Sequence, residues 1–128
     1  MIEESEIFIK QVIRLRRKYS KIEEDIQDLK IELSKLAFKH IAPLNIHIVT
    51  VEKGDNFCKK VWRIRVINSN NNKGKRGGYR VFYCEGKNNS DVLLLGVYPK
   101  PEIKDNEYQK IGKELVSASC ALNICSKL

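Results

Sequence analysis

Apolar residues recur along this chain with two different periods. Phe8, Val12, Leu15 and Tyr19 step by four, three and four, and Ile22, Ile26, Leu29, Leu33 and Leu36 continue the rhythm after a break, as the 3.6-residue turn of a helix requires. Two amphipathic helices are therefore predicted. Ser20 and Glu23 form an S-x-x-E capping box at the start of the second, so a tight turn near Tyr19 folds the pair into an antiparallel hairpin. Arg14, Arg16, Arg17 and Lys18 close the first helix while Glu23, Glu24 and Asp25 open the second. Each group complements its helix dipole, which gives these charges a structural role.

Beyond Pro43 the period falls to two. Ile46, Ile48 and Thr50 alternate with His47, Val49 and Val51, and in Val61 to Ile67 the residues Trp62, Ile64 and Val66 share one face with Arg63 and Arg65 on the other, the pattern of half-buried strands. Asn68 to Gly78 (NSNNNKGKRGG) is built from turn formers, too polar to pack and suited to a mobile hairpin tip. Tyr79 to Cys84 and Val92 to Tyr98 supply two more strands across a turn at Gly86 to Ser90. The last strand is apolar on both faces and belongs inside a sheet. Pro99 and Pro101 end it, and Glu107 to Ala118 reads as a short helix. The expectation is a single α+β domain over residues 1–128: an N-terminal helical hairpin on one face of a mainly antiparallel sheet of three to five strands, closed by a short C-terminal helix. The opposite, basic face is expected to be open.

Charge sharpens this picture. Residues 56 to 84 contain eight Lys or Arg and no Asp or Glu, so one window carries the whole formal charge of +8. Interleaved with Trp62, Tyr79, Phe82 and Tyr83, it points to a polyanion, because clustered cations release counterions when they meet phosphates. Lys59, Lys60, Lys73, Lys75 and Arg76 are the expected contacts to RNA or DNA. Arg63 and Arg65 project together, and an antiparallel neighbour brings Arg80 beside them.

Other chemistries find little support. Gly74-Lys75 lacks the frame of a P-loop, and His40 and His47 have no nucleophile arranged around them. With no carboxylate pair in the basic window, a glycosidase or two-metal nuclease is disfavoured. Cys58, Cys84, Cys120 and Cys125 lack CxxC spacing and read as core thiols, so neither metal nor cofactor is expected. Asn88-Asn89-Ser90 reads as a polar turn. The longest apolar run is Val92 to Leu95 and no basic-then-apolar leader is evident; the expected location is cytoplasmic, without a membrane.

Val61 to Val66 (VWRIRV), Gly74 to Tyr83 (GKRGGYRVFY) and Leu94 to Glu102 (LLGVYPKPE) resemble consecutive strands of the RelE/ParE superfamily of bacterial type II toxins, particularly its RelE and HigB-like branch. Phe8 to Tyr19 and the helix after it are similar to the family's opening hairpin, which leaves the family's first strand either residues 1 to 5 or no place at all. The resemblance implies a RelE-like fold and a metal-independent ribonuclease. Such an enzyme cuts mRNA in the ribosomal A site by attack of the ribose 2′-OH, and a cognate antitoxin silences it. It also implies that Arg80 binds the scissile phosphate, that Lys100 donates the proton to the leaving oxygen, and that Arg63 or Arg65 holds the backbone. Where the family often has Lys this chain has Arg65, a poor general base, so Tyr98 or Tyr108 would substitute. The family's C-terminal tyrosine falls near Asn106, and Tyr108 matches it with a two-residue shift. Assembly would be a homodimer or a hetero-oligomer with the antitoxin. The rival readings are a gyrase inhibitor of the ParE branch and a catalytically inactive RNA- or antitoxin-binding relic.

Overall fold

The computed structural model describes residues 2–36, 46–51, 60–85 and 92–121. The helical period of the first third becomes α1 (Glu6–Leu15) and α2 (Ile22–Leu36). Ser5 starts α1: its hydroxyl accepts the Phe8 N–H at 3.1 Å and donates to the Leu95 carbonyl at 3.0 Å. One side chain thus caps the helix and fastens it to the sheet. The apolar period outlasts α1, because Tyr19 lies beyond the helix and packs edge-on against Tyr79 at 5.8 Å. At the turn into α2, the Ser20 hydroxyl accepts the side-chain amide of Asn70, whose Oδ1 accepts the Lys21 N–H at 3.0 Å. A loop distant in sequence serves this turn in place of the predicted local box, because α2 begins at Ile22 and leaves Ser20 one residue short of the capping position.

The strands are β1 (Ile2–Glu4), β2 (Ile46–Val51), β3 (Lys60–Val66), β4 (Tyr79–Glu85) and β5 (Val92–Pro99), in the order β1-β5-β4-β3-β2. Neighbours from β2 to β5 are antiparallel, and β1 joins β5 in parallel. The fold is α+β with a mixed sheet. The short β1 supplies a strand within the first five residues, and β2 covers the free edge of β3. Near the middle of β5 a bulge leaves Leu95 without a partner on β4. Past the end of β1, the Val97 N–H is taken up by Gln11 Oε1 at 2.8 Å, so α1 shields the edge that β1 is too short to reach.

Both faces of the sheet are covered. Beneath α1 and α2 lie Ile64, Val66, Tyr79, Val81, Tyr83, Val92, Leu94 and Val97, sealed by Phe8, Leu15, Ile22, Ile26, Leu29 and Leu33. On the other face α3 (Tyr108–Ala121) packs Leu115 and Val116 over Val61, Phe82, Cys84, Leu93 and Leu95. The expectation of an open basic face is therefore corrected. That face has an apolar half, because β4 and β5 carry apolar residues at its positions as well. Single 3-10 turns at Lys100–Glu102 and Asp105–Glu107 lead from β5 to α3. Among the described residues, no helix is long and apolar enough to cross a membrane. The predictions for His40, Cys58, Cys125 and the Asn88 to Ser90 turn lie outside the described residues.

Candidate functional site

The alternation in β3 aims Arg63 and Arg65 at the α3 face, and the antiparallel register sets Arg65 directly opposite Arg80 and Arg63 opposite Phe82. The three arginines therefore meet as the sequence predicts. Arg80 itself is placed differently from expectation: it is 2 % exposed, not on open sheet. Its guanidinium donates from Nη1 to the carbonyls of Lys75 at 3.1 Å and Tyr79 at 3.4 Å, and from Nη2 to the carbonyl of Arg76 at 2.7 Å. Nε–H points to the Tyr108 hydroxyl at 3.3 Å. A planar fork with several donors suits this task, since it can grip successive loop carbonyls that a lysine would reach one at a time.

The 68–78 loop is correspondingly packed rather than a loose tip. Asn68 is buried, and the Asp25 carboxylate receives both the N–H and the hydroxyl of Ser69. Gly74 takes a positive φ of 63°, and a Cβ on Gly78 would stand 1.9 Å from the Val66 carbonyl oxygen. These two glycines let the backbone double back closely enough for Arg80 to reach it. Lys73, Lys75 and Arg76 stay on the exposed side, with Lys75 Nζ 4.0 Å from Glu32. Lys59 is outside the described residues, and of Lys60 only the backbone in β3 is described.

Tyr108 is the centre of the cluster. The Arg63 guanidinium lies 3.9 Å from its ring centroid, a cation–π contact largely shielded from water. Its hydroxyl accepts from Arg80 and donates to Asp105 Oδ1 at 2.9 Å, and the same oxygen receives Lys100 Nζ at 2.8 Å. Lys100 is held in place by its own N–H, bonded to the Gly78 carbonyl at 3.1 Å. Asparagine 106, where the resemblance puts a tyrosine, is exposed in the preceding turn; the ring that reaches the arginines is that of Tyr108. Tyr98 pairs with Arg80 across the strands but turns its ring edge-on to Phe82 at 5.7 Å. Burial raises the pKa of Tyr98, partly offset by Gln11, and its hydroxyl stands apart from the cluster.

The electrostatics carry a cost. Burial, followed by the repulsion of Arg65 and Arg80, lowers the pKa of Arg63, while Tyr108 and Asp105 oppose the shift. Hydrogen bonds from Lys100 and Tyr108, then the charge of Lys100, bring Asp105 down to about 2. Chemically, the arrangement offers cations, an ammonium donor and a phenol within one network, the set needed to bind and polarise a phosphate. Two participants escaped sequence reading. Asp105 left no periodic trace, whereas Asp25 did: it falls on the Ile22, Ile26, Leu29 stripe, where an acid should have prompted a search for a buried partner. No protein-family model matches this chain, and no curated protein matches it either.

Proposed function

We propose that this protein is a ribosome-dependent endoribonuclease toxin of the RelE-like kind, acting on mRNA and silenced by an antitoxin. The observation that carries this reading is the convergence of Arg63 and Arg80 on Tyr108 at one end of the α3 face, with Lys100 joined to the same tyrosine through the Asp105 carboxylate. Packing like charges together against a ring is unfavourable in the free protein and becomes favourable when an anion arrives, which is why such clusters mark functional sites. Cleavage begins as the 2′-OH attacks the adjacent phosphorus, and ends with a 2′,3′-cyclic phosphate and a 5′-OH. Arg63 stabilises the developing charge, and Tyr108 Oη takes the 2′-OH proton while passing its own to a non-bridging oxygen of the phosphate. Lys100 Nζ gives its proton to the leaving 5′-oxygen. Arg80 supports these groups from behind by fixing the loop and Tyr108. The exposed Lys73, Lys75 and Arg76 engage the surrounding RNA backbone.

The test is primer extension on mRNA in a translating extract. Wild-type protein should cut, and Lys100→Ala should slow cleavage about 100-fold with little loss of ribosome binding, since a proton donor acts mainly in the transition state. The burial of Arg80 favours one alternative, an inactive relic in which the cluster is architectural. Wild-type protein that leaves every mRNA intact would remove the ribonuclease reading and leave the gyrase-inhibitor and relic alternatives.

A further inference from the structure

The turn between β5 and α3 contains a carboxylate with an unusual position. Asp105 is the first residue of a 3-10 turn whose N-cap position belongs to Lys104. Here the capping is done by Glu107, whose Oε1 accepts the Lys104 N–H at 3.0 Å. The Asp105 carboxylate points instead to side chains, and a single oxygen receives both Lys100 Nζ at 2.8 Å and Tyr108 Oη at 2.9 Å. Its own side chain is 80 % exposed, so packing does not lock it in place. An acceptor oxygen of one negative group thus sits at the meeting point of two donors, beside the Arg63 guanidinium that stacks on the same tyrosine.

We propose that Lys100 Nζ and Tyr108 Oη form a phosphate subsite, and that the Asp105 carboxylate occupies it as a built-in competitor until a phosphate group displaces it. Carboxylate and phosphate oxygens are alike as acceptors for ammonium and hydroxyl donors, so one replaces the other without rearranging the donors. A phosphate brings more charge and more oxygens, and it can engage Arg63 at the same time. The carboxylate is easily displaced, because an exposed ion pair is weak. Its presence keeps Lys100 and Tyr108 oriented and partly neutralised in the free protein, and the exchange makes affinity depend on a true phosphate rather than on any weak anion. This inference rests on the ribonuclease reading only for the carrier of the phosphate, which would be RNA.

Titration with inorganic phosphate, followed by NMR at the Tyr108 ring and the Lys100 side chain, tests the exchange without using activity. Asp105→Asn should lower the half-saturating phosphate concentration about two- to fivefold, the worth of an exposed ion pair. In a Lys100→Ala background the same substitution should bring no such gain at Tyr108. An unchanged or higher half-saturation in Asp105→Asn overturns the proposal, as does the absence of any shift at these two residues. An equal gain with and without Lys100 also overturns it, because that result means a diffuse charge effect. The primer-extension result stands separately: intact mRNA with wild-type protein removes the ribonuclease reading and leaves the phosphate titration to decide the role of Asp105.

Discussion

The sheet surface under α1 and α2 is held mainly by apolar contact, with Phe8, Ile22, Leu29 and Leu33 closing over Ile64, Val81, Leu94 and their neighbours. The surface under α3 begins the same way around Phe82, Leu93 and Leu115 and then changes character, giving way to Arg63, Arg80 and Tyr108. The first region gains stability from area removed from water and asks little of direction. The second depends on the direction of each donor, and its buried charges add little net stability because desolvation consumes most of their attraction. A protein keeps such an arrangement where something other than stability is at stake. The comparison separates scaffold from candidate site: the α1 and α2 face is scaffold, and the end of the α3 face near Lys100 is the candidate site.

The largest effect should follow from damage to the scaffold. Phe8→Ala removes a fully buried ring and should cost about 3–5 kcal/mol of unfolding free energy, as large cavities in cores do. Urea denaturation measures it, and a loss below 1 kcal/mol would contradict the assignment of this face as the main stabilising core. Next comes Arg80→Ala, which strips the hydrogen bonds from the Lys75 and Arg76 carbonyls. The loss should be about 2 kcal/mol. Hydrogen exchange should quicken in the 68–78 loop and leave the amides of α2 unchanged. An Arg80 variant with wild-type stability and loop protection would show that the guanidinium is not a structural pin.

The smallest effect is the pH dependence of the exposed bridge. The folded-state pKa of Asp105, about 2, lies below that of an ordinary aspartate. Its stabilising contribution is therefore complete above the unfolded value of about 3.9. It is lost as pH falls through the folded value. Thermal unfolding of wild type and Asp105→Asn should converge on going from pH 5 to pH 2. Parallel curves over that range would show that the Lys100 and Tyr108 contacts do not favour the charged carboxylate.

How much of this could be read beforehand differs between the two regions in the same way. Periodicity is a local signal. It revealed α2, the strands from β2 to β5, the inward stripe Ile22 to Leu33 and the shared face of Arg63 and Arg65, because each depends only on residues two to four apart. The interior place of β5 was legible in its double-sided apolar run. Hidden from such a pattern were the meeting of Tyr108 with Arg63, residues 45 positions apart, and the packing of the loop onto Asp25 and Arg80. The polar run of Asn and Gly suggested mobility because composition records the cost of burying such a loop and not the partners that satisfy it.

By itself, then, the chain determined its α+β class, the phase of its helices and strands and the concentration of positive charge in one window, since all three follow from residue type and short spacing. Tertiary structure alone decided that α3 covers the second face, that Arg80 is buried as the clasp of the loop, and that Tyr108 rather than Tyr98 joins the arginines. It also brought Asp105 between Lys100 and Tyr108. Each of these depends on where long-range pairing and a pair of short turns carry a side chain in space. Hydrogen bonds and ion pairs form only over a few ångströms and at particular angles, and no pattern along the chain encodes that distance.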